Sequence, residues 1–186
     1  MSDVYERLRE HLDSLPGGFP PTDDGVELRI LKRLFTTEEA ELAMNLTMKL
    51  EPAEAIAQRA GIVKETAAHM LKEISRKGLI FSIETPERPP AYMATQFLVG
   101  IWEYHVNDLD KAFVEDLNLY MPTLAKEAIY PLSPLRTIPV GRSISAGMEI
   151  LSYEQAEGLV GEQEKFLVAP CICERSTSLS ARDATK

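Results

Sequence analysis

Apolar residues recur at helical spacing through the first fifty positions. Val4, Leu8, Leu12 and Leu15 fall three or four apart, which puts them on one edge of a helix. Asp3 stands at the cap position with Glu6 three residues on. The loop PGGFPPTDDG, Pro16 to Gly25, interrupts the pattern. Ile30, Leu31 and Leu34 resume it in a second helix, Val26 to Phe35. Thr36 then opens Thr-Thr-Glu-Glu, a capping box completed by Glu39. The third helix runs to about Lys49, with Ala40, Ala43, Met44 and Leu46 inward.

The stretch from Glu51 to Ala94 switches period. Pro52 suits a helix start, where no N–H is needed, and Gly61 supplies a tight exit. A second helix spans Lys64 to Lys77 with the stripe Ala67, Met70, Leu71 and Ile74, and Gly78 ends it. Leu79–Ile83 and Ala91–Ala94 read as short strands around a proline-rich loop, Glu84 to Pro90. With the helix before it, the order over residues 36–94 resembles the winged helix-turn-helix superfamily, which includes many bacterial transcription regulators.

Beyond the hairpin, Phe97, Leu98, Val99, Ile101, Trp102, Tyr104 and Val106 predict a helix over 95–107 packed on more than one side. Asp108 can cap the next helix, carrying Leu109, Phe113, Leu117 and Tyr120; Pro122 breaks it or opens a short helix through Ile129. These two helices would serve as a dimerisation arm or as an extension of the core. From 131 to 140 three prolines predict extended chain. Ser152 starts Ser-Tyr-Glu-Gln, a cap for a helix to about Gly161, and Phe166–Ala169 reads as strand-like. Residues 174–186 hold one large apolar group, Leu179, and are expected to form a disordered tail. The fold class is mainly α with a small β-hairpin wing. The expected parts are N-terminal helices (1–35), the winged-helix unit (36–94), a helical extension (95–130), a linker and cysteine segment (131–173) and the tail.

Charge narrows the partners. The chain has 186 residues, 45% hydrophobic, and a net charge of -9, which is a poor global field for nucleic acid. Residues 51–94 are neutral: Arg59, Lys64, Lys72, Arg76, Lys77 and Arg88 stand against Glu51, Glu54, Glu65, Glu73, Glu84 and Glu87. The DNA-contacting candidates are Lys64, Thr66, His69, Lys72, Arg76 and Arg88. The N-terminal end of that helix, which normally enters the groove, offers no Arg, Asn or Gln for base readout. DNA is therefore the less favoured partner. No apolar run reaches membrane-spanning length and the N-terminus lacks a signal-peptide core, so a cytoplasmic location is expected.

Cys171 and Cys173 are the only cysteines. In an extended segment, side chains two apart point the same way, so both could reach one metal or cluster. They are half of the four thiolates an iron–sulfur cluster usually takes, and the three histidines show no ligand spacing to complete the set. The alternative is two ordinary thiols at a strand end. No phosphate loop, nucleophile elbow or metalloprotease pattern is present, so a non-catalytic role is expected.

The order of several strings goes further: GVELRILKRLFTTEEAELA, the helix-hairpin unit, LRTIPV, ILSYEQAEGL and FLVAPCIC. It resembles the N-terminal half of bacterial 4Fe-4S-binding ferredoxin-type proteins of anaerobes. In them a winged-helix region precedes a Pro-Cys-x-Cys-Arg segment and a ferredoxin-type cluster domain. The resemblance covers about Leu15 to Cys173. It implies the winged-helix and linker portion of an electron-transfer protein, whose partner is a redox protein or the cluster domain missing from this chain. Cys171 and Cys173 match the family's metal positions, whereas Glu174 replaces its basic residue. Two thiolates per chain leave a cluster short of ligands, which a homodimer could supply by pairing two sites. The competing class is a winged-helix DNA-binding transcriptional regulator.

Overall fold

The computed structural model describes residues 3–131 and 151–181. Of these, 3–131 with 171–181 form one compact unit and 151–170 another. The first unit is helical with one small sheet. The expected extended stretch 131–140 lies, Pro131 apart, outside the described residues. Among the described residues no helix is long and apolar enough to cross a membrane.

The N-terminal helices form as their caps dictate. α1, Val4–Asp13, starts at Asp3, whose side chain accepts from the Tyr5 N–H while Glu6 reaches back to the cap. α2 is Val26–Leu34. α3, Thr37–Ala43, begins with the Thr36–Glu39 capping box and stops six residues before Lys49. Leu8, Leu12, Ile30, Leu31, Ala40 and Leu46 bury the stripe these helices share.

A two-residue strand, β1 (Glu51–Pro52), leads into α4 (Ala53–Ala60) and α5 (Lys64–Arg76). Gly61 turns the chain at φ +66°, a left-handed conformation that glycine adopts without strain. Two longer strands follow, β2 (Phe81–Thr85) and β3 (Arg88–Met93). The sheet is antiparallel in the order β1-β3-β2, so β3 is central. β2 starts two residues later than the expected Leu79, β3 is longer than the expected Ala91–Ala94, and the turn is tighter than the proline content suggests. Pro89 and Pro90 fit because they fall at a register irregularity between the Ile83–Ala91 and Thr85–Arg88 pairs, beyond the reach of β1. β1 itself has no hydrophobic pattern to announce it.

The helix expected over 95–107 does not form. Leu98 is extended, Val99 is left-handed at φ +58°, ψ +48°, and only Trp102–Tyr104, α6, is regular. Apolar density here serves burial from several sides: Phe97, Ile101 and Trp102 are all in the core. α7, Lys111–Leu124, is capped by Asp110, not Asp108; the Asp110 carboxylate accepts the Phe113 N–H at 2.9 Å. Pro122 lies inside α7 without ending it, because Tyr120 and Leu124 on either side are buried. A wider turn, Ala125–Ile129, follows. α7 packs on α2 and is tied to it by Arg29–Asp116 at 2.9 Å and Arg33–Asp110 at 2.6 Å. Within the chain these residues extend the core. One continuous cluster runs from Leu8 to Leu124, across all three of the segments expected between residues 1 and 130.

In the second unit, α8 (Tyr153–Gly161) starts at the Ser152–Gln155 capping box. Phe166–Ala169 forms no strand. Over its described residues, 174–181, the tail is helical rather than disordered. α9, Ile172–Ala181, packs on α7, with Arg175 donating to the Asn107 side chain at 3.1 Å and Asn118 to Ser180 at 3.2 Å. Ile172 and Leu179, seven residues apart, meet the core from one helical face. Taken alone, Leu179 could not bury enough to order the segment; with Ile172 it can.

Two substitutions test this description. Val99 is β-branched, left-handed and exposed. Relief of about 1–2 kcal/mol of strain, less about 0.5–1 kcal/mol of added chain entropy, leaves Val99→Gly modestly stabilised. Thermal unfolding should shift upward by about 2 °C. Gly78→Ala should lower it by several degrees, because Gly78 has φ +77° and an added Cβ would sit 2.5 Å from the Tyr104 Cβ.

The His11 ring supplies a pH signature. Its Nε2 is buried without a partner, and burial pushes its pKa below the ordinary 6.5, against a backbone contact with Leu46. The folded state thus resists the proton that the unfolded chain takes up near pH 6.5. Stability is complete above that pH and falls as pH drops toward the lowered value. Denaturant midpoints measured down to pH 5 should show this slope in the native sequence and lose it in His11→Leu.

Candidate functional site

α5 presents the candidate nucleic-acid contacts on one side. Ala67, Leu71 and Ile74 turn inward, leaving Lys64, Glu65, Thr66, His69, Lys72 and Arg76 exposed. His69, Lys72 and Arg76 follow at three- and four-residue steps, so they form a stripe. Arg88 is exposed at the start of β3. The cations do not converge into a positive field. Lys64 Nζ lies 3.0 Å from the Glu54 carboxylate, and Arg76 lies 3.0 Å from Glu73. Each pair is exposed and worth about 0–1 kcal/mol, so neither fixes its side chain; both neutralise the face. Lys72 and Arg88 make no ion pair among the described residues.

The remaining cations of the unit are structural. Arg59 donates two bonds of 2.7 Å to Glu51 and reaches the Asn45 carbonyl at 2.7 and 2.9 Å. The guanidinium holds the Glu51 carboxyl below its ordinary range, and the carboxylate raises Arg59 in return. This fastens the end of α3 to β1 and α4. Lys77 at the end of α5 bonds the Glu39 carboxylate of the α3 capping box.

A groove of about 190 Å³ opens between α3 and the α4–α5 turn. Leu42, Ile62 and Met70 give it apolar walls, Thr66 lines one side, and Glu38 and Glu41 form its rim. Sequence reading missed this feature. Its signal was the Ile62-Val63 pair directly after Gly61, apolar residues at a turn. Both remain exposed, Val63 at 64%. A second cleft of about 340 Å³ is lined by Arg33, Leu34, Lys77, His105, Asp108 and Phe113. Here Arg33 stacks 4.9 Å from the Phe113 ring, and Asp110 and Glu39 already compensate Arg33 and Lys77. His105 is buried with Nδ1 2.6 Å from the Ile101 carbonyl, while Trp102 and Phe113 pack edge to face. Trp102 and Phe113 belong to the core, and His105 and Phe113 border the cleft from that side.

The cysteines sit differently from expectation. Cys171 immediately precedes α9 and Cys173 lies in its first turn, so the alternation of an extended segment does not place them together. Both thiols are exposed, and among the described residues no three His, Cys, Asp or Glu side chains form a group that could hold a metal. The two thiolates are half of the four ligands an iron–sulfur cluster usually takes.

Comparison with protein-family models, with curated proteins and with solved structures finds no significant match.

Exposure predicts the thiol chemistry. In non-denaturing buffer a thiol reagent such as dithionitrobenzoate should titrate both cysteines at once, with no further release on adding guanidinium. Anaerobic reconstitution of the monomer with iron and sulfide should leave it colourless; a stoichiometric cluster would contradict the two-thiolate count.

Proposed function

We propose that residues 36–94 are a winged-helix unit used for protein contacts, within the N-terminal portion of a cytoplasmic, non-catalytic iron–sulfur electron-transfer protein. The helix, turn, helix and hairpin order of α4, α5, β2 and β3, with α3 in front, supports the winged-helix reading. The electron-transfer context rests on the sequence resemblance, in which Cys171 and Cys173 occupy the family's metal positions. The partner in this reading is a ferredoxin-type domain carrying a 4Fe-4S cluster.

The observation that carries the contact role is the charge state of the α5 face. Lys64, Lys72 and Arg76 are offset by Glu54, Glu65 and Glu73, and two of the cations lie 3.0 Å from carboxylates. Phosphate binding gains most from releasing counterions at uncompensated Lys and Arg. A face that is neutral, on a chain of net charge -9, gains little. The exposed Ile62 and Val63 at the head of α5 suit an apolar contact instead. Lys72 and Arg88, free of ion pairs among the described residues, favour the second reading, a DNA-binding regulator.

Anisotropy titration with random duplex and with duplex from upstream of the coding region decides between them. At physiological salt no complex tighter than micromolar is expected. Specific binding near 10⁻⁸ M, about the upper end for operators, that weakens on Lys72→Ala and Arg88→Ala would establish the regulator.

A further inference from the structure

The groove between α3 and the α4–α5 turn has a floor and a rim of opposite character. Leu42 is buried at its base, with Met70 half-buried beside it and Ile62 at 38% exposure on its lip. Its volume, about 190 Å³, falls below the roughly 300 Å³ at which drug-sized ligand sites begin. Apart from the rim glutamates, Asn45 and Thr66 are its polar lining residues, beside the apolar Leu42, Ala60, Ile62 and Met70. One aliphatic side chain fits that chemistry better than a metabolite does. The rim is acidic and little compensated: Glu38 makes no ion pair among the described residues, and Glu41 has only Arg7 at 3.9 Å.

We infer that this groove docks a basic amphipathic segment of a partner protein. An aliphatic anchor enters between Ile62 and Met70, and flanking Lys or Arg side chains meet Glu38 and Glu41. This rests on the protein-contact reading and specifies its surface and the partner's chemistry. The helix-in-groove mode of recognition uses such a division of labour, with apolar anchors for affinity and charge at the rim for steering and register. The acidic charge of the whole chain assists the encounter, whereas the rim decides where the segment settles. An acidic segment would meet repulsion at both glutamates. DNA would meet the same repulsion.

The probe is an 18-residue amphipathic Leu/Lys helical peptide, with a scrambled peptide of identical composition as control. Both are titrated against the full chain at 150 mM salt by anisotropy, with amide chemical-shift mapping. The amphipathic peptide should bind at least about tenfold tighter, a difference of roughly 1.4 kcal/mol. Shifts should centre on Leu42, Ile62 and Met70. Glu38→Lys with Glu41→Lys should weaken it about tenfold, while Glu162→Lys with Glu164→Lys, an equal change in net charge, should alter it less than about twofold. Thermal melts confirm that each variant is folded. Equal weakening by both pairs, or shifts mapping elsewhere, overturns the inference. A ferredoxin-type domain that binds the chain irrespective of Glu38 and Glu41 also overturns it while leaving the protein-contact reading intact. Tight specific DNA binding removes that reading instead.

Discussion

Three aromatic rings hold the first unit together. Phe19 lies 5.0 Å from Phe97 and 4.9 Å from Tyr120, and Phe97 lies 6.1 Å from Tyr120, all in tilted or edge-on arrangements. They come from the loop after α1, the irregular stretch after the sheet, and the middle of α7. Each ring is almost wholly buried. Such pairs contribute about 0.5–1.5 kcal/mol each beyond the area they bury. The Tyr120 hydroxyl donates to the Pro20 carbonyl at 3.0 Å, a bond spanning one hundred residues. Burial, reinforced by the nearby Glu27, pushes the phenol's pKa far above its ordinary value, so it stays a donor. Because α2 packs beside α7, the same contact sets the platform against which the helices of the N-terminus are arranged.

Polar fasteners then fix the small sheet and its helices on that platform. Arg59 closes the corner between α3, β1 and α4, and Lys77 joins the end of α5 to the start of α3. Both leave the outer face of α5 no richer in positive charge. Arg59 and Lys77 are thus used in internal structure and Lys64 and Arg76 are paired at the surface, while Lys72 and Arg88 make no ion pair among the described residues. Near the exposed apolar turn, Glu38 makes no ion pair among the described residues and Glu41 has only the long contact with Arg7. The residues that fasten the fold inside leave a groove outside with Glu38 and Glu41 beside the apolar Leu42, Ile62 and Met70.

The sequence determined the local signals. Capping boxes at Asp3, Thr36 and Ser152 marked helix starts because a cap is satisfied within four residues and needs nothing distant. The 3.6-residue stripe of α5 and the glycine after α4 were legible for the same reason. Composition also sufficed for the neutral charge of residues 51–94.

Tertiary structure alone decided the rest. Seven large apolar residues in 95–107 do not specify a period; in the fold Phe97, Ile101 and Trp102 are buried while Val99, in the left-handed region, and Tyr104 are exposed. The pairing of Glu51 and Pro52 with Tyr92 and Ala91 depends on chain forty residues away. Asp110 displaced Asp108 as the cap of α7, and α9 formed where disorder was expected, because Ile172 and Leu179 found a surface on α7 that no local rule could supply. For Cys171 and Cys173 the consequence is direct. Their spacing was visible, but whether two thiols share a side depends on the local backbone, and here Cys173 lies in the first turn of α9 with Cys171 just before it. Local hydrogen bonding and periodicity can be read along a chain; burial depends on partners that only folding brings near.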